Sequence, residues 1–248
     1  LDNKGSFQQR THEGAYNQPG IFRYDEMSEE DHRLIRAAYW ADIDLVDAQL
    51  GRVLDTLERT GQRDNTMVIF HSDHGEMLGD HGMYLKGPFF YDPMVRVPLI
   101  IAWPGTIPAM KNPGQSMVEL VDIAPTVLEA AGLPVDSGMQ GRSLYPLLSG
   151  ENMPDRHRDD IYCEHYKSSA MYRDPSPYLT MVRTEACKLV VLHSADAGEL
   201  YDVESDPGES VNRWDDPGYR DIKLAMMKRV CDRMAWTVDP LPEREKNF

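Results

Sequence analysis

The sequence predicts an α/β fold: a mixed, mostly parallel sheet flanked by helices, then a small C-terminal antiparallel sheet and a terminal helix. Three observations carry this. A long amphipathic pattern beginning at Ser28 runs directly into a short apolar stretch at 67–70, the way a helix delivers a chain to a sheet strand. A second apolar run, 99–103, follows a turn-rich segment. Beyond residue 158 the apolar period changes from helical to two, the alternation of short strands.

Taken in order, residues 1–27 are polar and rich in Gly, Gln and Asn, with no sustained period, and read as an extended surface segment. Ser28 and Asp31 form a capping-box pattern, and Glu29 and Glu30 put negative charge at the positive end of a helix dipole. Ile35, Tyr39, Ile43, Val46, Leu50, Val53 and Leu57 then recur at spacings of three and four, one apolar face. Gly61 closes the helix, and Asp64-Asn65 turn the chain into 67–70. The latter is a continuous apolar run of the kind buried on both faces of a sheet.

Residues 87–93, Gly-Pro-Phe-Phe-Tyr-Asp-Pro, make an aromatic loop whose rings more naturally fill a core than wall a substrate. Pro104-Gly105 stop the strand at 99–103, and 106–115 read as a Pro/Gly loop. Asp122 is placed to cap a helix running to Ala131, with Pro125 in its first turn and Gly132 as its stop. Residues 136–158 are irregular and polar, which sets a boundary between a main domain, 1–158, and a small one, 159–248. Strands are expected at 161–166, 178–183, 188–193 and 199–203. A last helix opens at Asp215-Asp216-Pro217, with Ile222, Met226, Val230 and Met234 on one face.

The chain has 248 residues and a net charge of −15. With no Lys/Arg cluster to offset that field, a nucleic-acid surface is excluded, whereas an anionic small substrate beside a bound cation is not. No apolar run of about 18 residues exists to span a membrane. Cys163, Cys187 and Cys231 are widely spaced and odd in number, giving neither a disulfide framework nor a zinc pattern. The chain opens on Leu1, without an initiating Met or a signal-peptide pattern, and is expected to be a portion of a longer protein.

The chemistry concentrates just after the first strand, in Ser72-Asp73-His74-Gly75-Glu76, then Asp80-His81, then Lys86. The carboxyl end of a strand in an open α/β sheet is where ligands bind, and a carboxylate beside an imidazole is a metal-ligand pair. Neighbours on a strand point to opposite faces, so Asp73 and His74 reach one ion only if the backbone leaves strand geometry, which Gly75 would permit. The alternative is a capped turn carrying a solvated Asp and His. By the same plain reading Lys86 is a surface lysine, His81 a turn residue, and Glu76 a solvated or helix-start carboxylate.

The string SDHGEMLGDHGMYLKGPFFYDPMVRVPLIIAWPG resembles the central segment of sulfatases in the alkaline phosphatase superfamily, a pattern shared by phosphonate monoester and phosphodiester hydrolases. LVDAQLGRVLDTLERTGQRDNTMVIF before it, VELVDIAPTVLEAAGLP after it and GELYDVESDPGESVN near the end occur in the same order, so the likeness runs from about 34 to 236. It implies that 1–158 is the C-terminal part of the main domain of an alkaline phosphatase-like fold. It also implies hydrolysis of small sulfate esters or, alternatively, of phosphonate monoesters or phosphodiesters. Asp73 and His74 match the pair that completes the site of one divalent metal, Ca²⁺ or Mn²⁺ with Mg²⁺ as a third candidate; Lys86 matches the catalytic lysine on the ester oxygens, and His81 falls beside it as a substrate-side residue. The family's nucleophile is a formylglycine made from the Cys of C-x-P-x-R, or from Ser; none of the three cysteines has that pattern, no serine replaces it, and the earlier metal-binding aspartates have no counterpart. The expectation is therefore the C-terminal half of such an enzyme, inactive alone, whose open apolar surface associates with a complementary half or a second copy. The alternative is a non-catalytic, truncated domain of the same fold.

Overall fold

The computed structural model describes residues 6–15, 18, 20–109, 116–150, 156–166, 177–193, 195 and 197–238. Within the ranges 1–108 with 165–177 and 109–164 with 178–248, the described residues form two compact units. By packing, the second unit thus begins well before the boundary at 158 that composition suggested.

The first unit opens with α1 (Ser6–Glu13), a stretch without a helical period. Its Gln8 and Thr11 are buried, and Gln8 Nε2 donates to the Tyr91 hydroxyl at 3.2 Å. A helix anchored by polar side chains has no apolar stripe to betray it, which corrects the extended reading of this segment. Next, α2 (Glu29–Arg59) starts at the expected capping box: Asp31 N–H donates to Ser28 Oγ at 3.2 Å, and Ser28 N–H to Asp31 Oδ2 at 2.9 Å. It ends in a Schellman motif, Gly61 N–H to Glu58 O at 3.0 Å and Gln62 N–H to Leu57 O at 2.9 Å, with Gly61 at φ 69°. The apolar side chains of α2 are largely uncovered; Ile43 is 50% and Trp40 64% exposed.

After α2, β1 (Val68–His71), the short helix α3 (Asp92–Val95) and β2 (Leu99–Ala102) follow. β1 pairs with β2 antiparallel, Val68 opposite Ala102 and His71 opposite Leu99. Among the described residues these two strands form a sheet of their own. The burial expected of β1 on both faces is corrected: Val68–Phe70 are half-buried and His71 exposed. Its only described strand neighbour is β2, where Ile100 is itself 61% exposed. The unit's core lies instead under the aromatic loop, where Met77, Met83, Tyr84, Phe89, Phe90, Tyr91 and Met94 are buried.

The second unit carries α4 (Ile123–Ala130), α5 (Tyr145–Ser149), all but the last two residues of β3 (Ile161–Tyr166), then β4 (Tyr178–Arg183), β5 (Cys187–Leu192), β6 (Ala197–Asp202) and α6 (Arg220–Thr237). The expected Pro/Gly loop at 106–115 falls from 110 onward outside the described residues. The sheet order is β3-β4-β5-β6, with β4, β5 and β6 antiparallel. Val182 lies opposite Leu189 and Leu189 opposite Leu200, a cross-strand row against which Met226 and Val230 of α6 pack. Val190 and Glu199 form the neighbouring row and are also buried, so the middle of the sheet is covered on both faces.

Asp122 does not cap α4 with its side chain. It is fully buried and accepts from Arg158 Nε at 3.1 Å, Arg142 N–H at 2.7 Å and Glu119 N–H at 2.9 Å, with His157 Nε2 at 3.1 Å. Glu119 in turn accepts from Tyr162 N–H at 2.7 Å and pairs with Arg158 and Arg233, tying α6 to this node. Burial pushes the Asp122 carboxyl up, but the bonds from His157, Arg158 and the two amides outweigh it and hold the group well below the usual carboxylate range.

Candidate functional site

β1 ends at His71, and the next residues abandon strand geometry at once. Ser72 Oγ donates to His74 O at 2.7 Å, and His74 N–H donates to Asp73 Oδ1 at 3.0 Å. The neighbouring side chains are thereby turned to the same side, with Asp73 Oδ2 3.7 Å from His74 Nε2. His74 Nδ1 lies 2.8 Å from Gly75 O; a carbonyl can only accept, so Nδ1 carries the proton and Nε2 presents a lone pair. Lys86 Nζ, 2.9 Å away, donates to that lone pair. Asp73 is exposed, and the adjacent His74, followed by its backbone amide and Lys86, holds the carboxyl below the usual carboxylate range.

Gly75 matters for a reason other than flexibility. A Cβ there would stand 1.8 Å from Pro93 O, because Gly75 N–H donates to Met94 O at 2.8 Å and Glu76 N–H to Pro93 O at 3.1 Å. The segment ahead of β2 is laid directly on the backbone of the site, and only glycine allows that approach.

The loop between Glu76 and Lys86 returns the lysine to the histidine. Met77 N–H donates to Leu85 O at 3.3 Å and Gly79 N–H to Met83 O at 2.8 Å, closing the loop on itself. Leu78, His81 and Leu85 all lie at positive φ, as do Gly79 and Gly82. Such geometry in bulky residues persists only where the surroundings impose it. Here Met77, Met83 and Tyr84 are buried, and the Tyr84 hydroxyl lies 2.5 Å from His32 Nδ1 in the first turn of α2. His81, at φ 54°, stacks on Tyr91 with ring centroids 3.8 Å apart.

The structure thus gathers Asp73, His74 and Lys86, and places His81 on Tyr91. Asp73 and His74 offer one oxygen and one nitrogen at a separation two ligands of a single cation can take, and the Nδ1 bond to a carbonyl is the outer support such a histidine uses. Among the described residues no group of three or more His, Cys, Asp or Glu could hold an ion, so these two donors would need others.

The sulfatase family model matches residues 6–133, and that for N-sulphoglucosamine sulphohydrolase, C-terminal, matches 79–235. The chain belongs to the sulfatase family. Among its relatives, an N-acetylglucosamine-6-O-sulfatase of Bacteroides thetaiotaomicron is 35% identical over 84% of this chain and 37% of the relative. A choline-sulfatase of Rhizobium meliloti is 34% identical over 77% of this chain and 35% of its own length. The phosphonate monoester hydrolase of Agrobacterium radiobacter superposes with a TM-score of 0.76 at 32% identity, over 86% of this chain and 44% of that one. The chain therefore spans little more than a third of these curated sulfatases, and its fold is part of the alkaline phosphatase-like α/β fold.

Glu76 is the residue whose role the sequence concealed. Its Oε1 accepts from Leu78 N–H at 3.1 Å and from Leu85 N–H at 2.6 Å, the second a bond across nine positions that no local pattern announces.

Proposed function

We propose that this sulfatase-family chain carries the metal and lysine side of a sulfate-ester hydrolysis site. On this reading Asp73 and His74 hold one divalent cation, and Lys86 binds the ester oxygens. The closeness of Asp73 Oδ2 and Lys86 Nζ to His74 Nε2, at 3.7 and 2.9 Å, supports it; the lone pair now shared with Lys86 is the one the cation would take, which would free Nζ for the ester oxygens. When bound, the cation would supply Lewis-acid polarisation of those oxygens. Asp73, with its lowered pKa, stays a carboxylate through neutral pH, and the bond from Nδ1 to Gly75 O keeps the Nε2 lone pair facing the same side. Lys86 brings a positive charge to where negative charge grows in the transition state.

The formylglycine nucleophile of the family has no precursor motif within these 248 residues, so turnover on this reading needs sequence beyond them. Phosphonate monoesters are the second reading, supported by the likeness to the Agrobacterium enzyme. Calorimetric titration of the chain with Mn²⁺, with and without sulfate, tests the site directly. Binding that weakens at least tenfold in both Asp73→Asn and His74→Gln is expected; equal affinity in wild type and variants would defeat the assignment. Turnover of p-nitrophenyl sulfate against a phenyl phosphonate ester, in protein that includes the nucleophile, separates the two substrate readings.

A further inference from the structure

The short reach between His74 and Lys86 is maintained by a chain segment with every reason to relax. Leu78, His81 and Leu85 lie at φ 48°, 54° and 64°, values that side-chain-bearing residues adopt at a cost. Leu85 immediately precedes Lys86, so its backbone sets where the lysine leaves the loop. Both leucine amides donate to a single atom, Glu76 Oε1. Glu76 is in turn fixed at its backbone, its N–H donating to Pro93 O, beside the bond from Gly75 N–H to Met94 O. A rigid path thus runs from the segment ahead of β2, through Glu76, to the two strained residues at either end of the loop. Charge-assisted bonds to backbone amides are among the stronger hydrogen bonds available for such a task.

We propose that Glu76 is a positioning residue, whose carboxylate holds Leu85 and so sets Lys86 against His74. The inference rests on the site reading above for its meaning, but its geometry involves neither a cation nor an anion. It separates sharply from an electrostatic role, because the two predict opposite orders among conservative variants. Glu76→Gln keeps an Oε1 acceptor of the same reach and loses the charge. Glu76→Asp keeps the charge but is one methylene shorter, enough to reach Leu78 two positions on and too short for Leu85.

The test reads the His74 imidazole in the full 248-residue chain. Long-range ¹H–¹⁵N correlation above the ordinary histidine pKa of about 6.5 reports both its tautomer and the hydrogen bond that Nε2 accepts. Lys86→Met gives the reference position for an Nε2 with no donor. Glu76→Asp and Glu76→Ala are expected to move the Nε2 resonance most of the way to that reference, whereas Glu76→Gln keeps the wild-type position; the Nδ1–H tautomer stays the same in all. Far-UV circular dichroism confirms the helix content of each variant, and if Glu76→Ala does not fold, the Asp and Gln pair decides alone. A wild-type position in Glu76→Asp, or a reference position in Glu76→Gln, overturns the proposal. Failure of the wild-type chain to bind Mn²⁺ or inorganic sulfate would instead sink the hydrolase-site reading, and leave the Glu76 result standing.

Discussion

The two units solve the same problem, holding charged side chains where they are needed, in opposite ways. In the second unit the charges are sealed in: Asp122 and Lys188 are both 0% exposed, Lys188 pairs with Glu209, and Glu119, Arg158 and Arg233 complete a network behind β3 and α6. In the first unit Asp73 and Lys86 face solvent, and short local bonds rather than burial fix their positions. Apolar surface does not divide the same way, since Leu224 and Trp236 on α6 are 61% and 65% exposed; its contrast is between one covered sheet and the elements outside it. The β4-β5-β6 rows are covered, while α2 and β2 display Trp40, Ile43 and Ile100. Buried charge makes a unit stiff and sensitive to mutation; exposed charge on strained loops makes a site that can admit a ligand.

The largest test of this contrast is Arg158→Met. It leaves the Asp122 carboxylate buried without its main cation, and breaking a buried pair in this way destabilises by about 3–5 kcal/mol. Amide exchange of Leu189 and Val190 on β5 should accelerate accordingly, while the His74 resonances keep their positions. Unchanged protection of β5 would show that the network is ornamental. Acid should find the same weak point. The folded-state pKa of Asp122 lies below its unfolded value, so its stabilisation is complete above the ordinary aspartate value of about 3.9 and is lost as pH falls from there through the folded value. In Asp122→Asn that part of the acid transition disappears and stability at neutral pH drops, as a pH series of β5 exchange would record.

This network also marks where sequence reading reaches its limit. Asp122 stands where a helix cap belongs and Pro125 follows in place, so the local pattern is satisfied by the wrong partner; Arg158, thirty-six positions on, leaves no local trace. Lys188 and Glu199 are charged residues in the strands expected at 188–193 and 199–203, yet both are buried. The strands themselves were legible, because alternation and turn residues are local, and the observed ranges differ from expectation by a residue or two at their ends. In the same way Ser28, Asp31 and Gly61 announced both ends of α2. Asp73, His74 and Lys86 were legible as residue types in a motif, and the structure adds why they meet: Ser72 ends the strand, Gly75 admits the segment ahead of β2, and Glu76 fixes the return. β1 read as buried on both faces because its composition is that of a central strand, yet β2 is its only described neighbour.

A smaller effect is expected where the first unit relies on local bonds. Ser28→Ala removes the acceptor for Asp31 N–H and half of the capping box, and cap losses of this kind cost about 1 kcal/mol. Exchange should accelerate in the first turn of α2 and, through the His32 contact, at Tyr84. Acceleration confined to β5 would reverse the comparison.

The smallest change in stability should come from the exposed apolar face of α2. Ile43 lies on the face of α2 whose period was plain in the sequence, yet it is 50% exposed. Ile43→Ser therefore removes little buried area, and a surface change away from specific contacts stays within about 0.5 kcal/mol. What should change is association. A run of uncovered apolar side chains on one helix is the surface that seeks a partner, so sedimentation velocity should show the wild-type chain self-associating with rising concentration and Ile43→Ser doing so less, with the same melting temperature. If Ile43→Ser instead melts several degrees lower, the face is covered in solution by packing within the chain itself. The exposed face of α2 would then be part of the first unit's own packing, and the contrast between the units would rest only on where each keeps its charges.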